Sequence, residues 1–220
     1  MGPVQRAVNI PAGSVQLDAD LVPAHPGRGT VVFAHGSGSG RSSPRNRQVA
    51  THLTRRGLGT LLIDLLTESE ARVDEFTAEY RFNIPLLTER LLAATDWLTA
   101  RPELEGTRLG YFGASTGGAV AMIAAARRSE VVGAIVLRGA RSDLGDSAAA
   151  HIRCPTLILV GGDDERIRRA NAQTMRLLQC EKELAVIPGA SHLFEEPGTL
   201  EQVARRTADW FDRHLSPSKP

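Results

Sequence analysis

The chain of 220 residues is long enough for one large domain, and 42% hydrophobic with 23% charged residues is ordinary for a globular protein in water. A formal net charge of +1 gives no sign of a nucleic-acid partner, and no apolar leader or membrane-length apolar run suggests export or a membrane partner. The two cysteines lack metal-ligand spacing, so we expect no zinc site, no disulfide framework and a cytoplasmic location. One soluble domain over residues 1–220 is predicted.

The first part of the chain predicts an edge strand followed by buried strands. Residues 14–22 alternate polar and apolar side chains, as a half-exposed strand at a sheet edge does. The wholly apolar runs 30–34 and 59–63 are typical of strands buried in a parallel sheet, and a helix is predicted between them over residues 46–56. Residues 65–79 are acidic and irregular in pattern, so no regular element is expected there.

The second part continues the alternation of helices and strands. A long amphipathic helix is predicted over residues 83–99, with Pro85 in its first turn. The later predicted elements are strands at 109–112, 131–137, 155–160 and 183–187, and helices at 119–126, 166–178 and 199–215. Such alternation requires right-handed crossovers and a mostly parallel sheet, here of about seven strands flanked by helices. Only 17 residues separate Leu137 from Pro155, which is too few for a cap domain.

The segment Gly113-Ala-Ser115-Thr-Gly117 stands between a predicted strand and a predicted helix. A serine in such a sharp turn has a strained backbone, and side chains two residues before or after it would collide with its surroundings. Gly113 and Gly117 remove that obstruction. The turn also leaves the backbone N–H of Thr116 unpaired at a helix N-terminus, where it can face an oxyanion. The pattern therefore predicts that Ser115 is a nucleophile.

The partners that a nucleophilic serine requires follow later strands. A serine hydroxyl needs a base within hydrogen-bond reach, and that base is oriented by a carboxylate. His192 follows the last predicted strand, and Asp163 and Asp164 follow the strand before it. Reactive groups collect beyond the carboxyl ends of parallel strands, so Ser115, His192 and one of the two aspartates are expected to meet. The chain order Ser, Asp, His is that of the α/β-hydrolases.

Over nearly its whole length the chain resembles the α/β-hydrolase superfamily, and within it the small dienelactone-hydrolase-like proteins, which carry no lid. Four segments carry the resemblance: His35-Gly-Ser-Gly-Ser-Gly40, Gly113-Ala-Ser-Thr-Gly117, Gly161-Gly-Asp-Asp164 and Gly189-Ala-Ser-His-Leu-Phe194. The resemblance implies an α/β-hydrolase fold without a cap domain. Dienelactone hydrolases proper use a cysteine nucleophile, whereas this chain has Ser115. That departure favours a serine esterase or a related acyl hydrolase.

The resemblance also bears on the choice between the two adjacent aspartates. Family loops of this kind usually read Gly-x-x-Asp, which places the triad carboxylate at Asp164, three residues after Gly161. Asp163 remains the alternative acid. Its other predicted role is to cap the helix that is expected to begin near Arg166.

The glycine-rich loop after the second predicted strand is expected to supply a second oxyanion donor. The backbone N–H of Ser37 is the candidate, beside that of Thr116, because glycines at 36, 38 and 40 let backbone face the substrate. His35 is expected to hold this loop by hydrogen bonds. A phosphate-binding loop is disfavoured because no Lys-Ser or Lys-Thr follows it.

Several arginines follow the strands that lead to the predicted site. Arg41 follows the glycine-rich loop, and Arg138 and Arg141 follow the strand after the nucleophile helix. Guanidinium groups bind carboxylates in a bidentate manner, so these three are candidates for binding an anionic substrate. A solvated surface cluster of charges is the alternative.

The predicted activity is hydrolysis of a small, optionally anionic ester or related acyl bond through an acyl-enzyme on Ser115, with no metal or organic cofactor. An open site without a lid is expected to favour short acyl groups. Two alternatives remain: an acyltransferase with the same triad, and a non-catalytic binding module that keeps the fold. The second is disfavoured because a binding pocket does not need Ser, Asp and His at three strand ends. A homodimer is left open as the assembly.

Overall fold

The computed structural model describes residues 4–102 and 107–216, and within them eight strands form a single sheet. The strands are β1 (Arg6–Ala12), β2 (Val15–Val22), β3 (Thr30–Ala34), β4 (Gly59–Ile63), β5 (Leu109–Ala114), β6 (Val132–Arg138), β7 (Thr156–Gly161) and β8 (Lys182–Ile187). The helices are α1 (Pro44–Arg55), α2 (Glu68–Thr77), α3 (Ile84–Thr99), α4 (Thr116–Arg127), α5 (Asp146–Ala149), α6 (Glu165–Leu177) and α7 (Thr199–Leu215). None of these helices is long and apolar enough to cross a membrane.

The sheet is mostly parallel, as expected, but it has one more strand than the sequence predicts. The strand order is β1-β2-β4-β3-β5-β6-β7-β8, with only the β1–β2 and β2–β4 pairs antiparallel. Strand β1 takes the edge position, so the expectation that residues 14–22 form the edge was wrong. Pro11 obscures β1 in the sequence, and a proline is tolerated there because an edge strand has one row of unpaired N–H groups.

The two faces of the sheet carry separate hydrophobic clusters. Helices α3, α4 and α6 cover one face, and α1 and α7 cover the other. Successive residues of β5 point to opposite faces, so Tyr111 enters the first cluster and Phe112 the second, and both are fully buried. Strand β5 lies between β3 and β6 in the middle of the sheet, which fixes the position of the residue that follows it.

Helix α2 corrects the expectation that residues 65–79 lack regular structure. Thr67 and Glu70 form a capping box: the Thr67 hydroxyl accepts the Glu70 N–H at 3.2 Å, and the Glu70 carboxylate accepts the Thr67 N–H at 2.8 Å. Asp74 is the one residue of α2 that is buried, so the helix has no apolar stripe for periodicity to detect. The Thr-x-x-Glu spacing was the signal that the sequence did contain.

Glu70 also joins α2 to α3 through a largely buried ion pair. Arg90, only 5% exposed, donates to both carboxylate oxygens of Glu70 at 2.5 and 2.6 Å and to the Leu65 carbonyl at 3.1 Å. The hydrogen bonds from Arg90 hold the pKa of Glu70 below its ordinary value, against the opposing effect of burial. Removal of this carboxylate would leave a buried guanidinium without a charged partner.

Replacement of Glu70 by Gln is therefore expected to destabilise the fold in a pH-dependent way. The loss in free energy of unfolding at pH 7 should be about 2–4 kcal/mol, because one partner of a buried pair is removed. A carboxyl group whose pKa falls on folding stabilises the protein above its unfolded pKa of about 4.3, and this contribution disappears as the pH falls through the lowered pKa. The difference between wild type and Glu70→Gln should therefore shrink below about pH 4.

Urea denaturation at several pH values measures both effects. The matched control is Glu75→Gln, the same change at an exposed position of α2, which should alter stability by less than about 0.5 kcal/mol. Equal losses in the two variants, or a Glu70→Gln loss that is the same at pH 7 and pH 3, would contradict the assignment of an important ion pair.

Candidate active site

Ser115 occupies a sharp turn between β5 and α4. Its backbone has φ 50° and ψ −120°, in the left-handed region that L-residues rarely adopt. The Ser115 N–H donates to the Arg138 carbonyl at 3.1 Å, and the Ser115 carbonyl accepts the N–H groups of Gly118 and Arg141 at 2.9 and 3.0 Å. These bonds hold the strained residue in place.

The two glycines of the turn leave room for neighbouring backbone. A Cβ atom on Gly117 would lie 2.1 Å from the Ala34 carbonyl oxygen, and one on Gly113 would lie 2.7 Å from the Gly117 carbonyl oxygen. Since the end of β3 packs directly on the start of α4, any side chain at Gly117 would push these elements apart. The close approach also brings the loop after β3 to Ser115.

The structure brings Ser115, His192 and Asp164 into one chain of hydrogen bonds. His192 Nδ1 lies 2.6 Å from Asp164 Oδ2, and His192 Nε2 lies 3.3 Å from Ser115 Oγ. In the neutral ring, Nδ1–H donates to the carboxylate, which leaves Nε2 to accept the serine hydroxyl proton. His192, Asp164 and Ser115 follow β8, β7 and β5, so all three lie at the carboxyl-end edge of the parallel part of the sheet.

Asp164, rather than Asp163, is also the N-cap of α6. Its Oδ1 atom accepts the Ile167 N–H at 3.3 Å while Oδ2 faces His192. The expectation that Asp163 caps the helix was wrong because α6 begins at Glu165, one residue earlier than the sequence suggested. Asp163 is exposed, and its backbone N–H donates to the Ala190 carbonyl at 3.0 Å. One carboxylate therefore fixes both the helix start and the imidazole.

Gly139, which the sequence did not single out, makes space for the histidine ring. It has φ 52°, and a Cβ atom there would lie 3.3 to 3.5 Å from the His192 carbonyl oxygen and ring atoms. On the other side, the Glu196 carboxylate accepts the Ser191 N–H at 3.0 Å and orders the loop. A glycine directly after a strand gives no sequence signal for this role.

The glycine-rich loop lies against Ser115, and hydrogen bonds from His35 hold it in place. A Cβ atom on Gly36 would lie 3.1 Å from the Ser115 Cβ. His35 Nδ1 donates to the Gly36 carbonyl at 2.9 Å, and its Nε2 accepts the Leu65 N–H at 2.9 Å. Burial lowers the pKa of His35, so its ring is neutral and uses both nitrogens to join the two loops. Ser37 follows at the exposed side of this loop, and Thr116 begins α4.

Two of the three candidate arginines have carboxylate partners. Arg41 forms ion pairs with Asp64, with Asp18 at 3.3 Å and with Asp20 at 3.8 Å. Arg141 donates to both carboxylate oxygens of Asp143 at 2.8 to 3.2 Å. The charge of each guanidinium is thus balanced within the protein, so the structure offers no support for these two as anion-binding groups.

Arg138 differs because it is buried without an acidic partner among the described residues. Its side chain is 7% exposed, its Nη1 donates to the Leu193 carbonyl at 3.5 Å, and its Nε has no hydrogen-bond partner within the described parts of the chain. Burial, together with the nearby charge of Arg45, lowers the pKa of Arg138 to about 10, so it remains charged at neutral pH. The guanidinium lies 5.7 Å from the Phe194 ring, beneath the loop that carries His192.

A cleft of about 720 Å³ lies beside the site, between the glycine-rich loop and α2. Residues 35–45 line it, together with Asp18, Asp74 and Glu75, but Ser115 and His192 do not. The volume of this cleft therefore does not describe the space around Ser115. Among residues 4–102 and 107–216, no three His, Cys, Asp or Glu side chains are grouped so that they could hold a metal ion.

A sequence model of the dienelactone hydrolase family matches residues 23–216 of the chain. The chain belongs to the dienelactone hydrolase family. A crystal structure of a dienelactone hydrolase from Anabaena variabilis is 50% identical, with a TM-score of 0.95 over 98% of this chain and 100% of that chain. The resemblance that four short motifs carried is confirmed, and with it the α/β-hydrolase fold.

Other relatives broaden the comparison. Est1E from Butyrivibrio proteoclasticus, solved with ferulic acid bound, has a TM-score of 0.82 over 95% of this chain and 99% of its own, but 17% identity, so it shares the fold. A Mycobacterium tuberculosis protein that carries a phosphoribosyl transferase name is 46% identical over 208 residues, 94% of this chain and 46% of its own length. The chain therefore spans about half the length of the curated relatives that it matches.

The dienelactone hydrolase fold appears here without a cap between β6 and β7, as the sequence predicted. That stretch contains a 3₁₀ turn (Ser142–Leu144) and the single-turn helix α5. The element that borders the cleft is instead α2, which follows β4. Its Phe76 is 91% exposed, so this helix does not present its large apolar side chain to the protein core.

Proposed function

We propose that this member of a hydrolase family cleaves a small ester through Ser115, His192 and Asp164. The observation that supports it is the continuous hydrogen-bond chain from Asp164 through His192 to Ser115, at 2.6 and 3.3 Å. Ser115 Oγ would attack the ester carbonyl carbon while His192 Nε2 takes its proton. Asp164 would hold the imidazole in the required tautomer and stabilise the imidazolium that forms.

The rest of the cycle uses the same groups in reverse. His192 would give its proton to the leaving alkoxide, which completes the acyl-enzyme, and would then activate a water molecule that attacks the acyl carbon. The negative charge on the carbonyl oxygen would face the N–H groups of Thr116 and Ser37. Thr116 suits this role because the first N–H groups of a helix have no acceptor within it. Ser37 suits it because Gly36 packs on Ser115.

We extend the proposal to an ester that carries an anionic group, with Arg138 as the residue that binds it. Of Arg41, Arg138 and Arg141, it alone has no carboxylate partner among the described residues. A buried guanidinium without a partner is unfavourable, and a substrate carboxylate would supply the missing charge and acceptors. Short acyl groups remain the expectation for the other half of the substrate.

Acyl transfer to an acceptor other than water would use the same residues and is the second candidate. Product analysis in the presence of added alcohols or amines separates it from hydrolysis. The phosphoribosyl transferase name of the mycobacterial relatives does not extend to this chain, since more than half of their length lies outside the match.

Replacement of Ser115 by Ala is expected to leave a folded protein and to lower esterase turnover by about 10⁶-fold, because the nucleophile is lost. Hydrolysis of short aryl esters measures the turnover, and a fluorophosphonate probe should label the wild type at Ser115 but not the variant. Near-normal turnover in a folded Ser115→Ala protein would exclude Ser115 as the nucleophile. A wild type that neither turns over esters nor reacts with the probe would favour a binding module.

The adjacent aspartates provide a matched pair of variants. Asp164→Asn should lower kcat by roughly 10⁴-fold, since the amide no longer fixes the correct imidazole tautomer. Stability should change little because asparagine is as good an N-cap as aspartate. Asp163→Asn, the same substitution at an exposed neighbour, should leave kcat within a few-fold of wild type. The reverse order of the two effects would show that the acid is Asp163.

Arg138→Met tests the anionic substrate. For two esters that differ only in a carboxylate, the wild type should prefer the anionic one at low salt, and the variant should lose about 10- to 100-fold of that preference. Added salt should reduce the wild-type preference. Arg141→Met, whose charge is paired with Asp143, should affect both esters alike. An equal loss for both esters in Arg138→Met would assign Arg138 to support of the His192 loop instead.

A further inference from the structure

The two cysteines stand at equivalent positions just before two adjacent parallel strands, β7 and β8. Strands β7 and β8 pair from Thr156 with Lys182 to Gly161 with Ile187, a constant offset along the chain. Two residues before the first pair, the same offset aligns Cys154 with Cys180. Neighbouring strands lie about 4.8 Å apart, within the roughly 4.4–6.8 Å between Cα atoms that a disulfide spans.

Side-chain contacts place both cysteines on the same face of the sheet. The Thr156 hydroxyl lies 3.6 Å from Cys180 Sγ and donates to the Cys154 carbonyl at 3.2 Å. Cys154 belongs to the hydrophobic cluster under α3, α4 and α6, and Cys180 packs against that cluster. Burial raises the pKa of the Cys154 thiol to about 12, and the nearby Cys180 sulfur adds to the effect.

The two thiols differ in access to solvent. Cys154 is buried, whereas Cys180 is partly exposed, and both are free thiols in this structure. An oxidant in solution therefore reaches Cys180 first, and Cys154 is placed to react with the product. This pair takes no part in the proposed hydrolysis, so its chemistry is independent of that proposal.

We propose that Cys154 and Cys180 form a reversible intramolecular disulfide when the protein meets hydrogen peroxide. The Cys180 sulfur attacks one peroxide oxygen and becomes a sulfenic acid, with release of water. The Cys154 sulfur then attacks the Cys180 sulfur, its proton leaves with the hydroxyl group as a second water, and the S–S bond forms. Two thiols are oxidised and one peroxide is reduced to two waters, and a thiol reductant reverses the change.

The position of the bond indicates what it does for the fold. Strand β8 is the edge of the sheet and is paired on one side only, with β7. The same two strands end at the loops that carry Asp164 and His192. A covalent link at their starts would hold the edge strand in register while leaving the opposite ends unchanged. We expect the oxidised form to unfold at a temperature higher by roughly 5–10 °C.

The test treats the reduced protein with a small excess of hydrogen peroxide and then alkylates it under denaturing conditions. The expected result is an intact mass lower by about two hydrogen masses, no alkylated cysteine, and a peptide pair linked through Cys154 and Cys180 after digestion. Dithiothreitol should restore two alkylatable thiols and the original unfolding temperature.

Cys180→Ser and Cys154→Ser are the matched variants. Each should fail to form the linked peptide, and peroxide should not raise the unfolding temperature of either. If Cys154→Ser does not fold, because its site is buried, Cys180→Ser alone decides the comparison. Two free thiols after oxidation of the wild type, a Cys180 oxidised beyond sulfenic acid, or only a disulfide-linked dimer would each overturn the proposal.

Discussion

Hydrogen bonds of its own N–H and C=O, together with close packing of the neighbouring backbone, hold Ser115 at φ 50°. The end of β3 lies so close to the start of α4 that a Cβ on Gly117 would stand 2.1 Å from the Ala34 carbonyl oxygen. The Ser115 N–H and C=O are bonded to the segment that begins at Arg138. Ser115 is therefore held from both neighbouring strands, and the loop after β3 lies against it as a consequence. Loss of the packing or of these hydrogen bonds would let the Ser115 backbone relax to an unstrained conformation.

Asp164 and His192 also follow strands of this sheet, but hydrogen bonds rather than a strained backbone orient them. Asp164 is oriented by its place at the start of α6, where one carboxylate oxygen caps the helix and the other meets His192. A helix start fixes a side chain more firmly than an open loop does, because the cap and the helix stabilise each other. His192 is positioned by a loop that Gly139 and Glu196 support. The strand ends thus set the positions of the three residues, and local hydrogen bonds set the orientations of the side chains.

Much of this arrangement could be predicted because it follows from local sequence rules. Buried parallel strands are recognisable as apolar runs, and their carboxyl ends lie along one edge of the sheet. The sequence alone therefore predicts that Ser115 and His192 lie close together. Helix α2 was missed because it buries no apolar stripe, and β1 because Pro11 interrupts its pattern. The ion pairs of Arg41 could not be predicted, since Asp18 and Asp20 lie on β2 and Asp64 follows β4, all distant from Arg41 in the sequence. Pairing between distant charges depends on strand register, which a linear pattern does not contain.

Two buried arginines differ in whether the fold gives them an acidic partner, and the sequence alone does not show that difference. Arg90 and Arg138 are 5% and 7% exposed, so both lose most of their hydration on folding. Arg90 replaces its lost hydration by two hydrogen bonds to Glu70 and one to the Leu65 carbonyl. Arg138 has one long bond to the Leu193 carbonyl and a positively charged neighbour in Arg45. A desolvated charge without an anionic partner lowers the stability of the fold, and the anionic group of the proposed substrate would offset that loss at Arg138.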